Sequence, residues 1–197
     1  MFKMNILPQL KTFSSQEWVN VVLDNFDEFL QDHADGERKV AANSMGLIAK
    51  YPNKVEMIPD LTQNAIEELV HFKMVYKVML ERGIQLRHSI PKDEYAVAMI
   101  KKAHSGRIER FLDRLLIVSI SEVRGKERFG AIEDALEDPK LKALYRKIRI
   151  DEEKHGSVFV DLALLYFDRE QVKKRIKYWE QVEDEIFRSL PLRPHLH

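Results

Sequence analysis

Two Glu-x-x-His motifs, Glu68-Leu69-Val70-His71 and Glu152-Glu153-Lys154-His155, constrain this chain more than any other feature. A spacing of three puts a carboxylate and an imidazole on one helix face, one turn apart, where both can reach one metal ion. Chance has to be weighed first: 19 Glu and seven His in 197 residues give an expectation of about 0.7 such pairs, so one alone would mean little. Both, however, lie on apolar faces, where an unpaired charge is costly. The same-face positions around Glu68 are Leu61, Ala65, Phe72 and Val75; around Glu152 and His155 they include Ile148, Phe159 and Leu162.

Apolar periodicity supplies the helices that carry these motifs. Ser14-Ser15-Gln16-Glu17 has capping-box spacing and opens a helical region running to about Lys50, with an interruption near Asn25, before Tyr51-Pro52-Asn53 breaks it. A second helix is expected from about Asp60 to Gly83, whose missing Cβ suits a left-handed cap. A shorter one follows from about Lys92 to His104, then long helices from about Arg107 to Leu136 and from about Lys140 to Leu165. A last one begins after Asp168 and stops before Pro191. No strand, hairpin turn or repeat is evident. The expectation is an all-α, ferritin-like four-helix bundle with accessory helices and one long crossover, spanning residues 1–197 as one domain.

The same test of apolar surroundings finds two more carboxylates. Glu37 sits among Leu30, Ala34, Ala41 and Ile48, and Glu122 among Leu115, Val118, Ser119 and Phe129. Each of the four long helices thus offers one inward carboxylate, and two of them add a histidine. Glu37 precedes Glu68 by 31 residues and Glu122 precedes Glu152 by 30, spacings that fit two antiparallel pairs meeting at mid-height. Glu37, Glu68, His71, Glu122, Glu152 and His155 form the expected ligand set. Four carboxylates balance two divalent irons and can bridge them, although manganese suits the same donors. Glu127 competes with Glu122 for its place, as Glu153 does less strongly with Glu152. Glu67 and Asp151, each directly before a motif, are candidates to orient its histidine. The bland alternative is a set of surface salt bridges, which has to produce four inward carboxylates by coincidence.

The chain has no cysteine, so disulfides, thiolate zinc sites and iron–sulfur clusters are excluded, and any metal must sit on oxygen and imidazole. No apolar run is long enough to cross a membrane. The opening MFKMNILPQLKTFSS lacks the pattern of a secretory leader, and a cytoplasmic location is expected.

At Asp32-His33-Ala34 through Glu37-Arg38-Lys39, Glu67 to Phe72, Arg82-Gly83, Asp113-Arg114-Leu115-Leu116, Glu122-Val123-Arg124, Glu127-Arg128-Phe129, and Asp151-Glu152 with His155, the sequence resembles the MiaE-like proteins. These are bacterial tRNA hydroxylases that oxidise the isopentenyl group of 2-methylthio-isopentenyl-adenosine next to the anticodon. It departs from them at Gly125-Lys126, where small residues such as Ser-Cys are expected. The resemblance implies the six ligands above, position by position, and an oxygen-dependent hydroxylation of tRNA. It also implies electrons from a separate reductase or ferredoxin, since the chain carries neither a flavin motif nor a cysteine. An apolar lining, with Phe72, Val75 and Phe129 as candidates, would hold the prenyl tail. A monomer is expected. Ligand chemistry alone also permits an iron-oxidising or storage protein, or an oxygenase of lipids or other small molecules.

The formal net charge is zero, but its distribution is uneven. Eight Lys/Arg stand against four Asp/Glu from Arg82 to Arg114, five basic residues and no acid lie between Lys140 and Ile150, and Lys173, Lys174, Arg175 and Lys177 form a third cluster. Acids concentrate from Asp24 to Glu37. Such basic segments suit a polyanionic partner, though a basic helix face is usually only solvated surface.

Overall fold

The structure, a computed structural model, describes residues 6–196. Residues 1–5, on which the reading of the leader partly rests, and residue 197 lie outside the described residues. Among those described there are seven α-helices and no strand. They are α1 (Gln16–Asp24), α2 (Phe26–Lys50), α3 (Ile58–Glu81), α4 (Glu94–Lys101), α5 (Arg107–Ala135), α6 (Pro139–Tyr166) and α7 (Arg169–Ser189), with a short 3-10 turn at Val55–Met57 before α3. The chain divides into two compact units. One holds residues 16–91 with 192–196; the other holds the N-terminal segment to residue 15 and residues 92–191.

In the first unit α2 and α3 pack together. The interruption expected near Asn25 is real: Asn25 leaves helical geometry at φ −128°, and its side-chain amide turns back to donate to the Val21 carbonyl at 2.9 Å. α3 begins slightly earlier than periodicity suggested. Pro59 stands in its first turn, where a missing N–H costs nothing. It ends at Gly83, φ +72°, where the Gly83 N–H donates to the Leu80 carbonyl at 3.1 Å and the Ile84 N–H to Met79 at 2.8 Å. This is the double bond of a Schellman cap, and a side chain at Gly83 would be strained by that φ. Phe29, Leu30, Leu61, Val75 and Met79 are wholly buried, each contributing roughly 1.5–3 kcal/mol of transfer free energy.

In the second unit α5 and α6 form the main pair, and α4 and α7 pack with them. Three aspartates start its helices. Asp93 accepts from Ala96 N–H at 2.9 Å, Asp138 from Lys140 N–H at 2.7 Å, and Asp168 from Glu170 N–H at 2.9 Å, each supplying an acceptor to an otherwise orphaned donor. Ser14, expected in a capping box, is used differently. Its N–H and hydroxyl both donate to Glu127, at 2.8 and 3.0 Å, tying the N-terminal segment to α5.

Candidate metal centre

Glu37 lies thirteen residues before the end of α2 and Glu68 ten residues after the start of α3, so each stands about 15–20 Å from the connecting turn. An antiparallel pair therefore brings them level. Carboxylate oxygens of Glu37 and Glu68 and a ring nitrogen of His71 lie within 4.8 Å of one another, and the three residues are only 1–4% exposed. His71 Nδ1 stands 3.5 Å from Glu68 Oε2 and 3.7 Å from Glu37 Oε2.

Two residues that sequence reasoning passed over steady this cluster. His33, one turn before Glu37 and fully buried, places Nε2 at 2.7 Å from Glu37 Oε1. With Glu37 ionised, as metal binding requires, its oxygen only accepts and Nε2 is the donor. Asn64, one turn before Glu68, donates to Glu68 Oε1 at 2.9 Å and accepts from the Ser44 hydroxyl at 2.6 Å. The signal for both was available as a polar residue four positions before a buried glutamate. Among the described residues, Glu37 has only imidazoles as ionic partners.

The second unit builds a matching cluster. Glu122 lies thirteen residues before the end of α5 and Glu152 thirteen after the start of α6. Ligand atoms of Glu122, Glu152 and His155 lie within 4.8 Å of one another, and all three residues are 2–6% exposed. His155 Nδ1 is 3.1 Å from Glu152 Oε2. Gly156 faces α5, where a Cβ would meet the Ser119 carbonyl oxygen and Val123 Cγ2 at 3.4 Å and Glu122 Cβ at 3.7 Å, ordinary packing contacts. The Ser119 hydroxyl spans the same gap by donating to the Gly156 carbonyl at 2.7 Å.

The rivals fall elsewhere. Glu127 accepts from Arg124 Nη1 at 2.9 Å and from Ser14, and Glu153 is exposed and paired with Lys126 at 3.0 Å. Along their own helices, Glu67 accepts from Gln63 at 2.7 Å and Asp151 pairs with Lys147. Phe129 packs against Tyr145, and Phe72 stacks on Tyr76.

Arg124, two residues beyond Glu122, is almost fully buried and forks onto Glu183 of α7 at 2.8 and 3.1 Å. It also donates to the Thr12 carbonyl at 2.8 Å. Burial alone would lower the guanidinium pKa, but the hydrogen bonds and charges of Glu183 and Glu127 outweigh it and raise it. Arg128 beside it is pushed down to about 10 by burial and by the Arg124 charge.

Each cluster therefore offers two carboxylates and one imidazole, buried and convergent. This hard donor set fits a divalent transition metal, which would offset the desolvation of the carboxylates.

A family model described as tRNA-(MS2IO6A)-hydroxylase (MiaE) matches residues 3–197. The chain belongs to this family. The MiaE resemblance read from the motifs thus holds over nearly the whole sequence, and the protein is an enzyme of the tRNA-hydroxylase class. It is 27% identical over 190 residues to the tRNA 2-(methylsulfanyl)-N(6)-isopentenyladenosine(37) hydroxylase of Pseudomonas putida, covering 94% of this chain and 92% of that one. A protein of the same name from Salmonella typhimurium is 30% identical over 123 residues, 62% of this chain and 44% of its own. Among solved structures, Protein 43 with aldehyde deformylating oxygenase activity from Synechococcus matches with TM-score 0.89 and 27% identity, over 95% of this chain and 94% of that one. The fold class is all-α and ferritin-like.

Proposed function

We propose that this MiaE-family protein is an oxygen-dependent di-iron monooxygenase that hydroxylates the isopentenyl group of 2-methylthio-isopentenyl-adenosine in tRNA, next to the anticodon. The observation that carries the reading is the family match over residues 3–197 in a chain that also buries two Glu-Glu-His clusters. Glu37, Glu68 and His71 would hold one iron, and Glu122, Glu152 and His155 the other. When bound, the metal pair would supply activation of molecular oxygen for insertion into an allylic C–H bond of the prenyl group.

The chain's own residues set the conditions for that chemistry. His33 and Asn64 each fix one oxygen of a glutamate, which leaves the other oriented toward the cluster and raises the cost of rotating it away. Buried apolar neighbours, including Leu30, Leu115, Ile148 and Phe159, keep bulk water from the donors. Electrons come from a separate reductase or ferredoxin, because no cysteine is present to hold a redox cluster. The protein acts as a monomeric, single-domain cytoplasmic enzyme. No helix among the described residues is long and apolar enough to cross a membrane.

The test is nucleoside analysis of tRNA carrying the unhydroxylated prenyl-adenosine, after incubation with iron-loaded protein, a reductant and oxygen. A hydroxylated prenyl-adenosine is expected. Its absence while the iron is seen to cycle between oxidation states defeats the proposal. A second reading, oxygenation of a small aliphatic molecule, is favoured by likeness to the Synechococcus oxygenase. Consumption of a long-chain aldehyde with tRNA left unchanged would select it.

A further inference from the structure

The metal centre leaves unused a buried carboxylate within one of the family-like segments, Asp113. It is wholly buried and accepts from five donors: His104 N–H at 2.8 Å, His104 Nδ1 at 2.9 Å, Arg175 Nε at 2.5 Å, Arg175 Nη2 at 3.0 Å and Trp179 Nε1 at 3.0 Å. A buried acid with so many donors organises what surrounds it. Here it fixes the α4–α5 connection and the N-terminal half of α7 around a cavity of about 330 Å³, lined in part by His104, Glu109, Leu112, Lys174, Arg175 and Tyr178. The Arg175 guanidinium lies 3.8 Å over the Tyr178 ring, and the Tyr178 hydroxyl donates to the Lys102 carbonyl at 3.3 Å, joining the end of α4 to the same rim.

Several cations of the other basic segments are paired, although Lys140 and Lys142 at the start of α6 form no ion pair among the described residues. Arg82 is committed to Asp27, Arg87 to Glu28, Asp32 and Asp35, Arg146 and Arg149 to Glu133, and Lys147 to Asp151. By contrast, Lys101, Lys102, Lys174 and Lys177 are exposed and form no ion pair among the described residues. Of these, Lys174 lines the cavity, and Lys102 is tied to the rim through the Tyr178 bond to its carbonyl. The cavity's one acid, Glu109, turns back toward the start of its own helix, crowding the position that a Cβ on Gly106 would take.

We propose that this cavity and its lysine rim bind the phosphate backbone of the tRNA substrate, with Lys174 at a phosphate and Lys101, Lys102 and Lys177 on its neighbours. Asp113 is a positioning residue: it aims His104 and Arg175 and touches no RNA itself. Free ammonium groups match a polyanion, because each phosphate neutralised releases condensed counterions. The Tyr178 ring offers a flat apolar face to a sugar or base beside them. The proposal rests on the tRNA-hydroxylase reading above.

The test measures affinity of the full-length, iron-loaded protein for tRNA carrying the prenyl-adenosine, by fluorescence anisotropy between about 50 and about 200 mM salt. The double variant Lys102→Glu/Lys174→Glu is compared with Lys140→Glu/Lys142→Glu in the first turn of α6. The cavity pair is expected to lose at least about tenfold in affinity and to flatten the slope of log affinity against log salt by about 2, with melting temperature and iron content unchanged. The α6 pair is expected to lose less than about threefold. Binding like wild type by the cavity pair, or equal loss by the α6 pair, overturns the proposal while leaving the tRNA reading intact. Absence of tRNA binding by the wild-type protein overturns both.

Discussion

The two helix pairs carry the same donors, two glutamates and a histidine each, but hold them by different means. In α2/α3 the support is local: His33 and Asn64 sit one turn before the glutamates they contact, and Ser44 backs Asn64. In α5/α6 it comes from packing at Gly156, bridged by Ser119, and from the buried ionic network of Arg124, Glu127 and Glu183 just beyond Glu122. On the proposed metal assignment, the difference predicts that metal affinity and fold stability are separable in the first pair and entangled in the second.

Removing a donor should have the largest effect, and the same effect in both pairs. Glu68→Ala and His155→Ala are each expected to lower bound iron by at least half, read by metal analysis of purified protein; full occupancy in both would sink the ligand assignment. Next comes Arg124→Ala, which leaves Glu183 buried without its fork. A loss of about 3–5 kcal/mol in denaturant unfolding is expected. A loss under about 1 kcal/mol would mean that the network is ornamental to the α5/α6 pair.

His33→Ala and Asn64→Leu probe the other side of the comparison. Each should weaken iron binding by roughly 10–100-fold in competition with a chelator, with far less effect on unfolding than Arg124→Ala. If either variant unfolds as readily as Arg124→Ala, the separation of roles in α2/α3 is wrong.

A smaller effect depends on pH. Burial alone would raise the Asp113 pKa, but hydrogen bonds from Arg175, the His104 backbone and Trp179, with the Arg175 charge, hold it below the ordinary 3.8. Because the folded value is the lower one, Asp113 contributes its full stability above 3.8 and loses it as pH falls through the folded value. Asp113→Asn should therefore be less stable than wild type at neutral pH, with the gap in melting temperature narrowing below about pH 4. A gap that stays constant across the acid range would contradict this. Smallest is Gly156→Ala: contacts of 3.4 Å leave room for a methyl group, and a change within about 0.5–1 kcal/mol is expected, whereas Gly156→Leu should cost about 1–3 kcal/mol by overpacking.

Periodicity and turn chemistry located the long helices to within a few residues, because Gly83, Asp138-Pro139 and Asp168 end or start helices through local backbone rules. The six buried residues of the two clusters stood out for a related reason: a glutamate among Leu30, Ala34 and Ala41 contradicts its surroundings and has to be explained. What held them was harder to read. Asn64 and His33 look like ordinary polar residues until their burial is known. The competition between Glu122 and Glu127 could not be resolved by spacing either, since Glu127 is claimed by Ser14 and Arg124, and Ser14 stands 113 residues away in the chain. The joining of the end of α4 to α7 is likewise tertiary, carried by the Tyr178 bond to the Lys102 carbonyl.

The order in which the chain is made bears on how it can mature. Neither compact unit is a continuous stretch: the segment through Thr12 and Ser14 belongs with residues 92–191, and residues 192–196 belong with residues 16–91, where the Leu196 N–H donates to Asp32 at 2.7 Å. On the ribosome, the first strap therefore waits for Arg124 and Glu183 to emerge, and Asp32 waits for Leu196. Both units close only after residues far along the chain have been made, and no single cut in the gene yields two independently folding pieces.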